Sequence, residues 1–124
     1  MRSSLTKEQV AQAVITQMER NYEGAVVETN LLKNYKTPGK VVWKSNNIGY
    51  KPDIKVITSK GLTKLFEIEL GSGINEEKWR LLSLYAKMKK GDFTLVVPEH
   101  MISRIETIIA EKNFKSIKLM YVPN

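Results

Sequence analysis

The chain has 124 residues, of which 42% are hydrophobic and 27% are charged, and these values predict one compact globular domain over residues 1–124. The absence of cysteine excludes disulfide bonds, zinc–thiolate sites and cysteine nucleophiles. No apolar run reaches the roughly 20 residues that span a bilayer, and no apolar signal region follows Met1-Arg2-Ser3-Ser4, so we expect a cytoplasmic protein. A formal net charge of +7 favours a polyanionic partner, although lysine-rich surfaces also serve solubility alone.

The first half of the chain predicts a helix, a strand and an irregular basic segment. Thr6 and Gln9 have capping-box spacing, and apolar residues recur at helical intervals from there to about residue 21. Residues 25–32 follow as a strand. Residues 33–51 interleave lysines with aromatic residues around Pro38-Gly39, which favours a hairpin or a long loop with a short strand near 41–43.

The second half predicts alternating strands and helices. Residues 53–58 and 62–70 form strands joined by the turn signal Ser59-Lys60-Gly61, and a helix that Asn75 caps and Gly91 stops follows them. The short apolar run at 93–97 is typical of a strand buried on both faces, and the helix before it makes it parallel to the strand at 62–70. A helix from about 100 to 113 and a strand at 116–122 complete a predicted α/β fold.

Three carboxylates are predicted to converge on the central strands. Alternate residues of a strand share a face, so Glu67 and Glu69 point to one side while Phe66 and Ile68 point to the other. A three-residue turn pairs Asp53 directly with Glu67. Opposed like charges destabilise a ladder unless something neutralises them, and Mg²⁺ or Mn²⁺ with oxygen ligands would do so. The alternative is that the carboxylates pair on an exposed sheet face with Lys55, Lys64 or Lys78.

These residues carry a resemblance to a known family. The run Lys51-Pro52-Asp53-Ile54, followed fourteen residues after Asp53 by Glu67-Ile68-Glu69, resembles the PD-(D/E)XK nuclease motif. The order of predicted elements resembles that superfamily's αβββαβ core with an added C-terminal helix and strand, most closely as in small archaeal Holliday-junction resolvases and small prokaryotic or viral nucleases. The resemblance implies a restriction-endonuclease-like fold with a mixed central sheet between helices. It also implies a metal-dependent DNA endonuclease that is structure-selective or belongs to a mobile-element, viral or repair system.

The resemblance also implies roles for single residues. Asp53 and Glu67 match the two acidic metal ligands of the motif. Glu69 occupies the position where the family usually has lysine, and some members look to a glutamate there as a base or ligand. Lys78, on the following helix, would supply the missing positive charge to the catalytic site. The departure at Glu69 leaves two outcomes open, a working site and one that has lost activity.

Further ligands and partners follow from the same resemblance. Many members place a glutamate in the first helix or at the end of the first strand, and Glu8 and Glu28 match those places, with Glu19 as a third choice. Resolvase-like enzymes act as homodimers, and a partner protein would supply specificity that so short a chain lacks.

The basic segment at 33–51 is the predicted DNA contact, with lysines for phosphate and aromatic rings for stacking. The residues assigned to this contact are Lys36, Lys40, Trp43, Lys44, Tyr50 and Lys51. A hairpin whose aromatic residues only cover the sheet is the alternative. At the level of function, a catalytically inactive nuclease-fold module that binds DNA or scaffolds a complex, and an α/β adaptor that binds protein alone, also stay open.

Overall fold

The computed structural model describes residues 5–42, 48–71, 74–114 and 116–122. They form an α/β structure in which a mixed five-stranded sheet lies between helices. The helices are α1 Lys7–Asn21, α2 Glu76–Met88 and α3 Ile102–Glu111, with a short 3₁₀ helix at Glu99–Met101. The strands are β1 Val26–Thr29, β2 Val41–Val42, β3 Gly49–Tyr50, β4 Ile54–Ile57, β5 Thr63–Ile68, β6 Asp92–Pro98 and β7 Ile117–Val122.

The main sheet has the order β1-β4-β5-β6-β7. Strands β1, β4 and β5 pair antiparallel, whereas β5, β6 and β7 pair parallel. The predicted parallel crossover from β5 through α2 to β6 is therefore confirmed. Strands β2 and β3 pair with each other as a separate two-stranded sheet that contacts α2, as the predicted hairpin allowed.

Helix α1 begins where its sequence signal places it. The Thr6 hydroxyl accepts a hydrogen bond from the Gln9 backbone N–H over 3.1 Å, and the Gln9 side chain accepts one from the Thr6 backbone N–H over 2.8 Å, so two N–H groups that the helix cannot satisfy are capped. One face of the helix is buried against the sheet. The buried α1 residues are Val10, Ala11, Val14, Ile15 and Met18, and the sheet residues of the same core include Ile54, Val56, Phe66, Ile68 and Val96.

The opposite face of the sheet packs against α2 and α3. The sheet residues there are the alternate positions Leu65, Phe93, Leu95 and Val97. Their helical partners include Trp79, Leu82, Ala86 and Ile105, all of them fully buried. Strands β5 and β6 are thus covered on both sides, which explains the nearly continuous apolar run of β6 from Phe93 to Val97. None of the helices in the described ranges is long and apolar enough to cross a membrane.

The β4–β5 hairpin has the predicted register. Ile54 pairs with Phe66 and Ile57 with Thr63, so the same register continued by one residue brings Asp53 opposite Glu67. Both strands are shorter than the sequence pattern suggested. The reason on the β4 side is that the Asp53 backbone N–H donates to the Glu67 side chain.

Candidate metal centre

Two carboxylates lie against each other at the open end of the β4–β5 hairpin. The backbone N–H of Asp53 donates a hydrogen bond to Glu67 Oε1 over 3.2 Å, and the backbone N–H of Ile68 donates to Asp53 Oδ2 over 2.8 Å. The buried hydroxyl of Thr29, the last residue of β1, donates to the backbone carbonyl of Asp53 over 2.7 Å. Contacts from β1 and β5 therefore fix Asp53 beside Glu67.

The pair is largely removed from water. The side chain of Asp53 is 13% exposed and that of Glu67 is 9% exposed. Burial, and after it the negative charge of Asp53, raises the pKa of Glu67 from 4.5 to about 7, against the opposing effect of Lys78 and Lys7. Near neutral pH the Glu67 carboxyl is therefore only partly ionised.

Each carboxylate has a lysine partner from a different helix. Lys78, in the first turns of α2, forms an ion pair with Glu67 Oε2. Lys7, the first residue of α1, places its ammonium 3.4 Å from Asp53 Oδ2. Since α1 and α2 pack on opposite faces of the sheet, the two lysines approach the carboxylates from opposite sides.

The sequence identified Lys78 but missed Lys7. The capping box at Thr6 locates the start of α1, yet nothing local indicates which strand end that start lies over. Lys7 and Asp53 are 46 residues apart in the chain. Their meeting depends on how α1 packs on the sheet, which the periodicity of the helix leaves undetermined.

Glu69 is buried, and one oxygen of its carboxylate contacts the backbone just beyond β5. Its exposure is 7%, and its carboxylate accepts a hydrogen bond from the Gly71 backbone N–H over 2.8 Å, while its own N–H donates to the carbonyl of Val96. Within residues 5–42, 48–71, 74–114 and 116–122, no three or more His, Cys, Asp or Glu side chains form a group that could hold a metal ion. The structure thus brings together two of the three predicted carboxylates, Asp53 and Glu67.

The additional glutamates considered as metal ligands do not join this pair. Glu8 is exposed in the first turn of α1, where its neighbour Lys7 contacts Asp53 instead. Glu28 is half-buried in β1, opposite Lys55 of β4. Glu19, at the other end of α1, accepts a hydrogen bond from the Tyr35 hydroxyl over 3.4 Å.

The lysines weighed as alternative carboxylate partners take different places. Lys78 does pair with Glu67, but at a buried position and not on an exposed sheet face. Lys64 lies on the other face of β5 and contacts Asp92 over 2.9 Å. Burial opposes ionisation of Asp92, but hydrogen bonds from Lys118 and Lys64 outweigh it and lower the pKa of this carboxyl. Lys64 therefore stabilises the sheet away from the candidate site.

The residues predicted to contact DNA have mixed surroundings. Lys36, Lys40 and Lys51 are exposed, as phosphate contacts must be. Tyr50 is half-buried and packs on the α2 side of the core. This position agrees with the alternative in which the aromatic residues of the hairpin cover the sheet. Trp43 and Lys44 lie outside the described residues.

Comparisons of the chain with protein-family models, with curated proteins and with solved structures gave no match. The function of this chain must therefore be inferred from the geometry and chemistry of the site itself.

Proposed function

We propose that this chain is a divalent-metal-dependent DNA endonuclease with a site and a core of the PD-(D/E)XK, restriction-endonuclease-like type. The observation that carries the proposal is the largely buried pair of Asp53 and Glu67 at the ends of adjacent central strands, with a lysine from a helix at each carboxylate. Two carboxylates held side by side and largely removed from water in a basic protein favour a site that binds a cation and a phosphate.

The donor set fits Mg²⁺ or Mn²⁺. These ions prefer oxygen ligands and are commonly held by one or two carboxylates, together with waters and substrate phosphates. In the part of the chain that the structure describes, the hydrogen bonds and the ion pair of the Asp53 carboxylate all use Oδ2, which leaves Oδ1 for another ligand. The raised pKa of Glu67 adds a second reason, because a nearby cation would relieve the unfavourable charge.

Each residue of the site has a chemical role in this proposal. Asp53 and Glu67 would hold the metal ion, which when bound would polarise a phosphodiester oxygen and lower the pKa of an attacking water. Lys78 would hold its charge beside the phosphate, where it stabilises the negative charge that grows in the transition state. Glu69, in the place of the motif lysine, would accept a proton from the water. We further propose a homodimer, with a partner protein supplying specificity.

A second candidate is a catalytically inactive nuclease-fold module that binds DNA or scaffolds a complex. Lys7 and Lys78 together balance the formal charge of Asp53 and Glu67, and the Glu69 carboxylate already accepts a backbone hydrogen bond. A site satisfied by its own lysines needs no metal ion. This arrangement favours the inactive nuclease-fold module over a protein–protein adaptor. The two motif carboxylates are still in place, but the lysines occupy the positions that a metal ion would need.

Cleavage assays with matched variants separate the two candidates. Wild-type protein is incubated with branched, single-stranded and duplex DNA in Mg²⁺ or Mn²⁺, and beside it Asp53→Asn and Glu67→Gln, which keep side-chain size. We expect each variant to lower the cleavage rate about 100-fold or more, since it removes charge at the reacting centre. Glu106→Gln, at an exposed position of α3, serves as the control for the loss of one negative charge and should cut like the wild type.

Cutting that persists in a chelator or in both variants would contradict the proposal. An absence of cutting together with salt-sensitive DNA binding would establish the inactive module. Glu69→Gln and Lys78→Met test the remaining roles, and each should slow cutting in metal without abolishing DNA binding.

A further inference from the structure

One face of α2 continues from the carboxylate pair as a line of cationic and aromatic side chains. Lys78, Tyr85 and the C-cap residue Lys89 are separated by seven and four positions. At 3.6 residues per turn these three side chains lie within about 40° of one another around the helix. At 1.5 Å per residue the line from Lys78 to Lys89 is about 16 Å long. It begins at Glu67, which Lys78 contacts.

Strand β4 contributes a second lysine to this line. The ammonium of Lys55 is 5.8 Å from the centre of the Tyr85 ring, and that of Lys89 is 5.7 Å from the same ring. Lys55 follows Asp53 by two positions, so along the strand the two are about 7 Å apart on one face. A single half-buried tyrosine therefore holds two cations next to the candidate metal site.

Among the described residues, no carboxylate lies within 4.0 Å of either ammonium group. The ion pairs within 4.0 Å that the structure describes involve Lys7, Lys64, Lys78, Lys112 and Lys118. Lys55 and Lys89 are not among them, although Glu28 lies opposite Lys55 on β1. Two like charges near one ring repel each other, and a neighbouring anion would offset that repulsion.

We propose that Lys55, Tyr85 and Lys89 bind the phosphodiester backbone of duplex DNA and lead it along α2 to Asp53 and Glu67. This inference rests on the proposed function and gives it a DNA path distinct from the hairpin lysines. A duplex rises 3.4 Å per nucleotide of each strand, so the line of about 16 Å from Lys78 to Lys89 spans about five nucleotides. The lysines contact phosphate, and the tyrosine holds both in place.

The test measures binding without cutting. Anisotropy of a labelled duplex is recorded in chelator over a salt series from about 50 to 200 mM, for the wild type and for Lys55→Met and Lys89→Met. Each phosphate contact contributes about 0.9 to the slope of log affinity against log salt, so each variant should lower the slope by about one and the double variant by about two. Lys118→Met, on edge strand β7, also removes one charge and should leave the slope unchanged.

Two tyrosine variants separate binding from folding. Tyr85→Phe keeps the ring and should keep the wild-type slope, whereas Tyr85→Leu removes the ring and should lower the slope. Lys89 also lies at the carboxyl end of α2, where a cation stabilises the helix, so urea unfolding of Lys89→Met is measured in parallel. A fall in salt slope without loss of the native state identifies a DNA contact.

The inference is overturned if Lys55→Met and Lys89→Met bind like Lys118→Met, if the wild type binds no duplex, or if duplex RNA of the same sequence binds more tightly. Because no step requires cleavage, this failure is distinct from failure of the nuclease proposal. If the protein cuts DNA in the presence of metal but the Lys55 and Lys89 variants bind DNA like the wild type, the proposed function is retained and this DNA path is rejected.

Discussion

Glu67 combines burial with a neighbouring like charge. A glutamate in a strand is ordinarily solvated, but here a helix covers it, and the adjacent Asp53 adds a like charge. Burial and that charge raise its pKa to about 7 even though Lys78 forms an ion pair with it. This single side chain thus connects the stability of the fold to the proposed cation site.

The raised pKa predicts a specific pH dependence of stability. Between pH 4.5 and about 7 the folded protein retains a proton on Glu67 that the unfolded chain releases. The free energy of unfolding should therefore fall as pH rises through this window. Glutamine has no proton to lose, so in metal-free buffer the free energy of unfolding of Glu67→Gln should rise by about 2 kcal/mol relative to that of the wild type between pH 5 and pH 8. Urea unfolding at the two pH values measures this difference.

The matched control is Glu106→Gln, which removes a carboxylate from an exposed position of α3. The free energy of unfolding of this variant should stay within about 0.5 kcal/mol of the wild-type value at both pH values. If the gap between wild type and Glu67→Gln were the same at pH 5 and pH 8, Glu67 would not hold the proton, and the electrostatic description of the site would be wrong.

Most of the pair was predictable from residue spacing. Alternation along a strand places Glu67 and Glu69 on one face, and the three-residue turn fixes the register that brings Asp53 to Glu67. Residue spacing does not determine side-chain torsion angles. The hydrogen bond that the Glu69 carboxylate accepts from the Gly71 N–H was therefore not predictable. The Lys7 contact was likewise unpredictable, because it depends on where α1 packs.

At the scale of the elements, the periodicity predicted their order and type. Both helix caps, the β4–β5 turn and the parallel crossover to β6 follow from local residue types and connection lengths. The ends of the elements were less predictable. Side chains that bind backbone groups, such as Glu67 on the Asp53 N–H, end a ladder earlier than its β-rich sequence suggests.

The end of α2 gives the element-scale prediction. Gly91 was expected to stop the helix, but Lys90 adopts the left-handed conformation, with φ of 59°, that a glycine usually takes after a helix. Gly91 is needed for a different reason, since a Cβ there would overlap the backbone carbonyl of Thr63 on β5. Lys90→Gly should therefore raise the free energy of unfolding by about 1 kcal/mol.

Gly91→Ala, the opposite substitution at the next position, should lower the free energy of unfolding by about 3 kcal/mol because the backbone of Thr63 must move. Urea unfolding of both variants at neutral pH makes the comparison. Stabilisation by Gly91→Ala, or destabilisation by Lys90→Gly, would show that the described path between α2 and β6 is incorrect.

At the scale of the whole molecule, the sheet brings residues from three distant parts of the chain to one place. Helices on its two faces each direct a lysine to the end where Asp53 and Glu67 meet, and Lys55 and Tyr85 continue the charged surface beside α2. The α/β class and the mixed sheet between helices were predicted from the order of the elements. A hairpin was one of the two forms predicted for residues 33–51, but the contact of β2 and β3 with α2 was not predictable, because that packing depends on tertiary contacts alone.

Calorimetric titration with Mn²⁺ tests most directly whether Asp53 and Glu67 share one divalent cation. We predict one ion bound per chain, with affinity that rises from pH 6 to pH 8 as Glu67 loses its proton, and with binding lost in Asp53→Asn and in Glu67→Gln but kept in Glu106→Gln. Mn²⁺ binding that survives both substitutions, or a wild type that binds no Mn²⁺ at either pH, would contradict the metal centre and favour a site neutralised by Lys7 and Lys78 alone.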